Sequence, residues 1–266
     1  MTTPATTDKM LSRKEGQVGY LTFNNPDKLN AVSLDMWEAA EGYLDEFKND
    51  DNIRVVIVTG AGGKAFVSGA DISKFASERS NKEASDRYNE AVDRAYGAFY
   101  NFPKPTIAMI RGYCVGGGMG LALACDIRIC TEASKFAVPA AKLSLGYRYA
   151  GVKKLVDVVG PSFAKEIFYT ARQFTAQEAQ VMGLVNRVVA DGELESYVQN
   201  YAETIAGNAP LTVDSIKFIV NEILKDPADR DMDKAEAMVQ ACFASGDYIE
   251  GRKAFMEKRK PKFTGK

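Results

Sequence analysis

The sequence predicts an α/β fold in which short strands alternate with helices and the last third of the chain is helical. The segments Val55–Thr59 and Thr106–Val115 are rich in Val and Ile and bounded by glycine, which is typical of buried strands. Apolar residues recur at helical spacing from Ser33 to about Asp50 and from Ala84 to Phe102. From about Pro161 onward the patterns are helical. This alternation of strand and helix favours right-handed crossover connections.

The elements follow in order from the N-terminus. Alternating apolar residues over Leu11–Phe23 predict a β-hairpin, and the turn-rich segment Asn24–Asn30 predicts a loop. Ser33 is the predicted N-cap of the first helix. Ile127–Thr131 is a further short strand, and it follows the apolar segment Met119–Ala124, which is predicted to be helical.

Helices joined by short links make up the predicted C-terminal section. No Gly/Ser-rich linker or internal repeat separates it from the strand-rich part. We therefore divide the chain into a core over residues 1–200 and a helical region over residues 201–266. The predicted helices are Ser162–Thr170, Ala176–Met182, Glu193–Asn208, Leu211–Leu224, Ala235–Ala244 and Asp247–Lys258.

Composition narrows the classes of function. The 266 residues carry a formal net charge of −1, so no overall field favours nucleic acid or an anionic membrane. No apolar run is long enough to span a bilayer, and four cysteines without a CxxC pair predict free thiols in the cytoplasm. The chain contains 0 histidines, which excludes Ser-His-Asp and Cys-His catalysis and a histidine-based metal site. We expect no metal.

Two glycine-rich loops are the main chemical signal. Gly116-Gly117-Gly118 lies between a predicted strand and a predicted helix, where bare backbone N–H groups can bind a negative oxygen. A second loop, Gly60 to Asp71, follows the strand Val55–Thr59. Two loops that each offer one N–H could form an oxyanion hole for a thioester enolate. The alternative is that both are only tight turns.

Several motifs, in this order and spacing, resemble the crotonase superfamily, the enoyl-CoA hydratase/isomerase group. The resemblance covers nearly the whole chain and implies a spiral of ββα turns with a helical trimerisation region. It also implies an acyl-CoA substrate, coenzyme A as part of that substrate instead of a separate cofactor, and assembly as a homotrimer or a pair of trimers. The motifs are Asn24-Asn25-Pro26-Asp27-Lys28-Leu29-Asn30-Ala31, Ser68-Gly69-Ala70-Asp71, Gly116-Gly117-Gly118, Cys125-Asp126-Ile127-Arg128, residues 176–183 and Phe255-Met256-Glu257-Lys258-Arg259.

The resemblance also implies roles for individual residues. The amides of Ala70 and Gly117 would form the oxyanion hole. Each of three implied coenzyme contacts has a plain structural alternative of equal weight. Lys28 could be a solvated loop lysine, and Asp71 could be the N-cap of a helix over Ile72–Ser77. Lys258 could belong to a basic tail with no binding role. Phe255 and Lys258 approach the coenzyme in relatives, often from a neighbouring subunit. The full set of implied substrate-binding residues is Lys28, Leu29, Ala31, Ser68, Gly69, Asp71, Ile72, Gly116, Ala140, Phe255 and Lys258.

The sequence departs from the hydratase pattern at two positions. Hydratases that resemble this chain have glutamates where this sequence has Gly120 and Ala140. Adding water across a conjugated double bond needs a carboxylate that activates the water and a proton source for the α-carbon. Neither Gly120 nor Ala140 supplies one, so ordinary hydration and single-glutamate isomerisation are not expected.

Tyr147 indicates an alternative reaction. The segment Leu145–Gly151 and the C-terminal tail resemble a bacterial methylmalonyl-CoA decarboxylase branch, in which a tyrosine at this position contacts the substrate carboxylate. That branch has a histidine where this chain has Ala70. The alternative is that Tyr147 and Tyr149 are loop aromatics that cover the acyl pocket. Arg148 could pair with an acyl carboxylate or point to solvent. A third hypothesis is a non-catalytic acyl-CoA-binding protein.

Overall fold

A computed structural model describes residues 7–71, 74 and 80–266, and these residues form two sheets. The strands are β1 (Met10–Glu15), β2 (Val18–Phe23), β3 (Val55–Gly60), β4 (Ala65–Val67), β5 (Thr106–Ile110), β6 (Tyr113–Val115), β7 (Ile127–Thr131), β8 (Lys135–Ala137), β9 (Phe174–Thr175) and β10 (Arg187–Val189). The order in the larger sheet is β1-β2-β3-β5-β7-β10, and in the smaller sheet β4-β6-β8-β9.

Helices connect and cover these sheets. They are α1 (Leu34–Lys48), α2 (Lys82–Tyr100), α3 (Gly117–Ala124), α4 (Tyr149–Thr170), α5 (Ala176–Val181), α6 (Leu194–Ala206), α7 (Pro210–Ile223), α8 (Met232–Ala244) and α9 (Gly246–Met256). Short 3-10 helices lie at Pro26–Lys28, Pro139–Leu143, Asp191–Glu193 and Pro227–Asp229. None of the helices in the described ranges is long and apolar enough to cross a membrane.

The connectivity is a spiral of ββα turns, as predicted. The pairs β3/β4, β5/β6 and β7/β8 each give one strand to the larger sheet and the next to the smaller sheet, and a helix follows each pair. Neighbouring strands are parallel except β1 with β2 and β8 with β9. Each turn therefore brings a β-to-α connection to the same side of the structure, where the glycine-rich loops meet.

The larger sheet is buried on both faces. Val56 and Val58 face the main core, which holds α1, α2 and α3, while Val55 and Ile57 face α6. This period of two is the geometry of a strand covered on both sides, and it explains the continuous apolar run that predicted β3.

The prediction of a single strand over Thr106–Val115 is wrong, because this segment forms two strands that belong to different sheets. The chain turns at Gly112, which has φ +68, and β6 begins at Tyr113 in the smaller sheet. A Cβ at Gly112 would be 2.0 Å from the carbonyl oxygen of Lys64. The turn thus needs a residue without a side chain, since the second glycine loop passes directly over it.

Ser33 is the N-cap of α1 as predicted, but its hydroxyl donates to the Asp35 carboxylate instead of accepting from the helix. The helix predicted over Ser162–Thr170 begins earlier than expected, at Tyr149, and has a non-helical residue at Gly160 with φ +75. The hairpin β1–β2, helices α1 and α2, and the C-terminal helices are confirmed.

The C-terminal helices α7, α8 and α9 follow α6, which covers the larger sheet. Residues 200 and 201, between which we placed the domain boundary, both lie within α6. Large apolar side chains remain exposed on α7 to α9, including Ile216, Ile223 and Phe243.

Candidate active site

The two glycine-rich loops lie directly against each other. A Cβ built on Gly117 would be 3.5 Å from the Cα of Gly69, and one built on Gly69 would be 3.7 Å from the amide nitrogen of Gly117. Gly69 has φ +114 and Gly116 has φ +55, which are conformations that favour glycine. The two backbones therefore meet with no side chain between them.

The amide N–H groups of Ala70 and Gly117 have no acceptor among the residues that the structure describes. Val32 forms a parallel bridge in which its N–H donates to the Gly69 carbonyl at 2.8 Å and its carbonyl accepts from Asp71 at 2.9 Å. This pattern directs the N–H of the residue between them, Ala70, away from the bridge. Gly117 is the first residue of α3, where the amide has no partner within the helix. Two donors are thus free for an anionic oxygen.

Backbone hydrogen bonds hold the predicted coenzyme-binding loops together. The Ser68 amide donates to the Leu29 carbonyl at 3.1 Å, and the Ser68 hydroxyl to the Lys28 carbonyl at 3.4 Å. Lys28 Nζ lies 3.0 Å from the buried carboxylate of Asp71, so this lysine is tied to the second loop. Leu29 has φ +52, and Ala31 is buried. The loop around Lys28 therefore lies beside Ala70, while Ile72 and the helix predicted over Ile72–Ser77 are outside the described residues.

A cavity of about 660 Å³ adjoins Gly117. Most of its wall is apolar, and the polar side chains are one asparagine, three tyrosines and three charged residues. The lining residues are Asn89, Val92, Asp93, Tyr96, Gly97, Tyr100, Gly116, Gly117, Met119, Gly120, Leu123, Ala124, Val138, Leu145, Gly146, Tyr147, Arg148, Ala150, Gly151, Lys154, Leu155 and Phe168. A pocket of this size and polarity is typical of small-ligand sites.

Tyr96 occupies the space next to Gly120. A Cβ at Gly120 would be 2.9 Å from both Cζ and the hydroxyl oxygen of Tyr96. The hydroxyl donates to the Gly117 carbonyl at 2.8 Å, and the ring packs edge-on against Trp37 with centroids 5.1 Å apart. Burial raises the pKa of Tyr96, so the phenol remains protonated at neutral pH. The space beside Gly120, where the resemblance implies a glutamate in hydratases, is therefore occupied by a tyrosine from α2.

The described part of the cavity wall contains one carboxylate, Asp93, and it is paired with Arg148. Arg148 thus pairs with a residue of α2, and both side chains of the pair remain exposed to solvent. Ala140 is buried in the 3-10 helix Pro139–Leu143 and is not among the lining residues. Among the described residues, no group of three or more Cys, Asp or Glu side chains could hold a metal ion.

Tyr147 lines the cavity, whereas Tyr149 is 80% exposed. The Tyr147 ring packs edge-on against Phe168 with centroids 4.9 Å apart. Burial raises the pKa of Tyr147, which keeps its hydroxyl protonated as a donor. The structure thus separates the two tyrosines, and Tyr147 alone faces the cavity.

Phe255 and Lys258 lie away from this cavity. Phe255 is 83% exposed near the end of α9, and Lys258 follows the helix with φ +53. Neither residue lines the cavity of its own chain. Their contact with the coenzyme, in this or a neighbouring subunit, stays a prediction.

The sequence analysis missed Tyr96 and Lys154, which both line the cavity. Each lies within a helix and belongs to no motif. Their positions depend on how α2 and α4 pack around α3. The chain neighbours of Lys154 are Lys153 and Leu155, and this local pattern does not distinguish it from an ordinary helical lysine.

The sequence model of the enoyl-CoA hydratase/isomerase family matches residues 13–266. The chain belongs to this family. It is 33% identical to the short-chain-enoyl-CoA hydratase of Clostridium acetobutylicum over 95% of this chain and 96% of the relative. It is 34% identical to the carnitinyl-CoA dehydratase of Escherichia coli O157:H7 over 95% of this chain and 97% of the relative.

A solved structure of an enoyl-CoA hydratase/carnitine racemase from Magnetospirillum magneticum is similar throughout. The TM-score is 0.91 at 38% identity, over 98% of this chain and 97% of that chain. The crotonase fold predicted from the motifs is therefore confirmed for this member of the enoyl-CoA hydratase/isomerase family.

Proposed function

We propose that the protein is an acyl-CoA enzyme that stabilises a thioester enolate with the N–H groups of Ala70 and Gly117. The observation that carries this proposal is the pair of amides where the two loops touch, which have no acceptor among the described residues and lie next to a cavity of about 660 Å³. Fixed donors aimed at a developing oxyanion lower the barrier, because they need no reorganisation during the reaction. Family membership and the names of the relatives support coenzyme A thioesters as the substrate class.

The reaction we propose does not use an enzyme carboxylate as general base. Gly120 and Ala140 carry none, and Asp93 is paired with Arg148. The tyrosines in the wall are protonated at neutral pH and can act as donors. This set of groups suits a reaction in which the enolate forms without proton abstraction by the protein.

Decarboxylation of a malonyl-type CoA ester is a second candidate, and the position of Tyr147 in the cavity wall favours it. The bond between the α-carbon and the carboxylate would break, and its electron pair would form the enolate while CO₂ leaves. The two amides would hold the enolate oxygen, and the α-carbon would then take a proton from solvent. Tyr147 would hold the departing carboxylate through its hydroxyl.

Screening enoyl-CoA and malonyl-type CoA esters by mass spectrometry tests the reaction class. Gain of water indicates hydration, and loss of CO₂ indicates decarboxylation. Tight binding of esters without turnover would overturn the catalytic proposal and favour a non-catalytic acyl-CoA-binding protein.

The variant Gly117→Pro tests the oxyanion donor directly, with Gly117→Ala as the matched control. Proline removes the N–H, and the first position of a helix tolerates it. Alanine keeps the N–H and adds a similar Cβ, which would lie 3.3 Å from the Tyr96 hydroxyl. We expect kcat to fall about 10²–10³-fold for proline relative to alanine. Equal kcat values for the two variants would contradict the assignment.

A further inference from the structure

Lys154 brings a positive charge into the wall of a largely apolar cavity. It lies on α4, next to the buried Leu155, and its Nζ lies over the face of the Tyr100 ring. A cation over an aromatic face is attracted by the ring quadrupole. That contact leaves ammonium N–H donors without an oxygen acceptor.

No anion is paired with this ammonium among the described residues. Lys154 has neither a hydrogen-bond acceptor nor an ion-pair partner there. The carboxylate whose charge acts on it, Asp157, is bonded through both oxygens to Lys153, at 3.0 and 2.8 Å. The other charged residues of the wall, Asp93 and Arg148, are paired with each other.

A half-buried cation without an anion is costly, because burial removes water and nothing replaces it. The same burial lowers the pKa of Lys154 to about 8. Tyr96, Tyr100 and Tyr147 cannot supply the missing charge, because burial raises the pKa of all three phenols. Lys154 is therefore the group of the described wall that can pair with a negative group from outside the protein.

We take the spacing between Lys154 and the proposed oxyanion hole from α2, the helix that carries the two tyrosines in contact with them. The Tyr96 hydroxyl contacts Gly117, and the Tyr100 ring lies under the Lys154 ammonium. Tyr100 is one helical turn further along α2 than Tyr96. One turn of four residues advances about 6 Å along the axis. An acyl chain of about six carbons spans this distance, since each C–C bond is about 1.5 Å long.

We propose that Lys154 binds the distal carboxylate of the acyl group, so that the substrate class is CoA esters of dicarboxylic acids of about six carbons. The inference rests on the proposed function, because it takes the cavity to hold the acyl chain of a CoA ester. It differs from the malonyl-type case, in which the carboxylate is attached to the α-carbon. The apolar side chains of Leu123 and Val138 would line the methylene chain between the two ends.

Calorimetric binding of two unreactive esters of equal chain length tests this inference. Adipoyl-CoA carries a distal carboxylate, and hexanoyl-CoA ends in a methyl group. We expect the wild-type protein to bind adipoyl-CoA at least about 10-fold more tightly. The charge-assisted hydrogen bond would supply that preference.

Three variants locate the effect. Lys154→Met should abolish the preference for adipoyl-CoA while it keeps the affinity for hexanoyl-CoA, and Lys154→Arg should retain the preference. Lys165→Met, on an exposed part of the same helix, is the matched control and should behave as the wild type. A wild-type protein that binds both esters equally, or a Lys154→Met variant that keeps the preference, would overturn the inference alone. If neither ester binds, both this inference and the proposed function are overturned.

Discussion

The Tyr96 hydroxyl donates a 2.8 Å hydrogen bond to the Gly117 carbonyl, and the same ring fills the space beside Gly120. The tyrosine and the glycine are complementary, because any side chain at position 120 would meet the ring. The absence of a glutamate at this position is therefore part of a packed arrangement. The space beside Gly117 and Gly120 is filled by the side chain of Tyr96 from α2.

We expect Gly120→Glu to destabilise the protein while Tyr96 is present, and much less in a Tyr96→Ala background. The new Cβ would be 2.9 Å from the tyrosine ring, which Trp37 and the Gly117 carbonyl hold in place. Overpacking of this kind typically costs about 1–3 kcal/mol. Urea unfolding of the two single variants and the double variant gives the interaction free energy. Additivity within about 0.5 kcal/mol would contradict the proposed clash.

Adding Ala140→Glu to the double variant tests the chemistry. Carboxylates would stand at both positions where the resemblance implies catalytic glutamates, so crotonyl-CoA hydration should rise. Well-placed general acid–base groups contribute roughly 10²–10⁴-fold. We expect a gain below this range, because Ala140 is buried outside the lining of the cavity. Hydration by the unchanged protein at ordinary enzymatic rates would show that the missing glutamates do not matter.

The sequence predicts most of the fold, because its signals are local. Glycine boundaries and Val/Ile runs locate β3 and β7, and the period of the apolar residues locates α1 and α2. The break at Gly112 is not local, since it depends on the Lys64 carbonyl, which lies 48 positions earlier in the chain. β8, β9 and β10 have two or three residues each, too few to show a period of two.

The candidate site, like the fold, can be predicted from the sequence only where its signals are local. The glycine loops carry their own signal, and the structure brings Gly69 and Gly117 into contact, while the oxyanion role of Ala70 and Gly117 stays a prediction. Tyr96 and Lys154 carry no local signal, since a tyrosine or lysine within a helix is usual on any face. Their contacts with Gly120 and Tyr100 arise only when α2, α3 and α4 pack together.

We expect the protein to form a trimer or a pair of trimers in solution. Ile216, Val220 and Ile223 are 56%, 50% and 62% exposed in the single chain, and their spacing places them on one face of α7. A face of this kind suits an obligate interface, which buries on the order of 2,000 Å² or more. Light scattering at micromolar concentration should give three or six times the mass of one chain.

The variant Ile216→Asp should lower the measured mass, because it places a charge in the predicted interface. Lys165→Asp changes an exposed residue of α4 and serves as the control. A wild-type protein that is monomeric under these conditions would contradict the prediction. It would also remove the expected contact of Lys258 with a neighbouring subunit's coenzyme.

Tyr147→Phe should slow the turnover of a malonyl-type CoA ester and leave the affinity for coenzyme A nearly unchanged. Losing a hydrogen bond to a charged group costs about 1.5–3 kcal/mol, which is roughly 10- to 100-fold in kcat when the bond acts in the transition state. If Tyr147 only packs against Phe168, phenylalanine preserves the contact and turnover stays the same. In that case Tyr147→Ala, which removes the ring, should weaken binding instead.

The preference for adipoyl-CoA over hexanoyl-CoA should disappear as pH rises. The pKa of Lys154 is about 8 in the free protein. Burial disfavours the charged ammonium more than the nearby Asp157 carboxylate favours it. The adipoyl carboxylate is ionised throughout, since carboxyl groups ordinarily titrate near pH 4. Below pH 8 the lysine is charged and the preference should be constant. Above pH 8 the unliganded protein loses the charge, and the adipoyl affinity should fall.

The ratio of the two affinities isolates this titration, because changes common to both esters cancel. The ratio is measured from about pH 6.5 to about pH 9.5, which lies below the ordinary pKa values of tyrosine and lysine. Tyr100, Tyr96 and Tyr147 have raised pKa values and stay neutral, and a hydrogen bond to Asp157 raises the pKa of Lys153. Lys154→Met should give a ratio that is flat with pH. A wild-type ratio that stays constant up to pH 9.5 would assign the preference to another group.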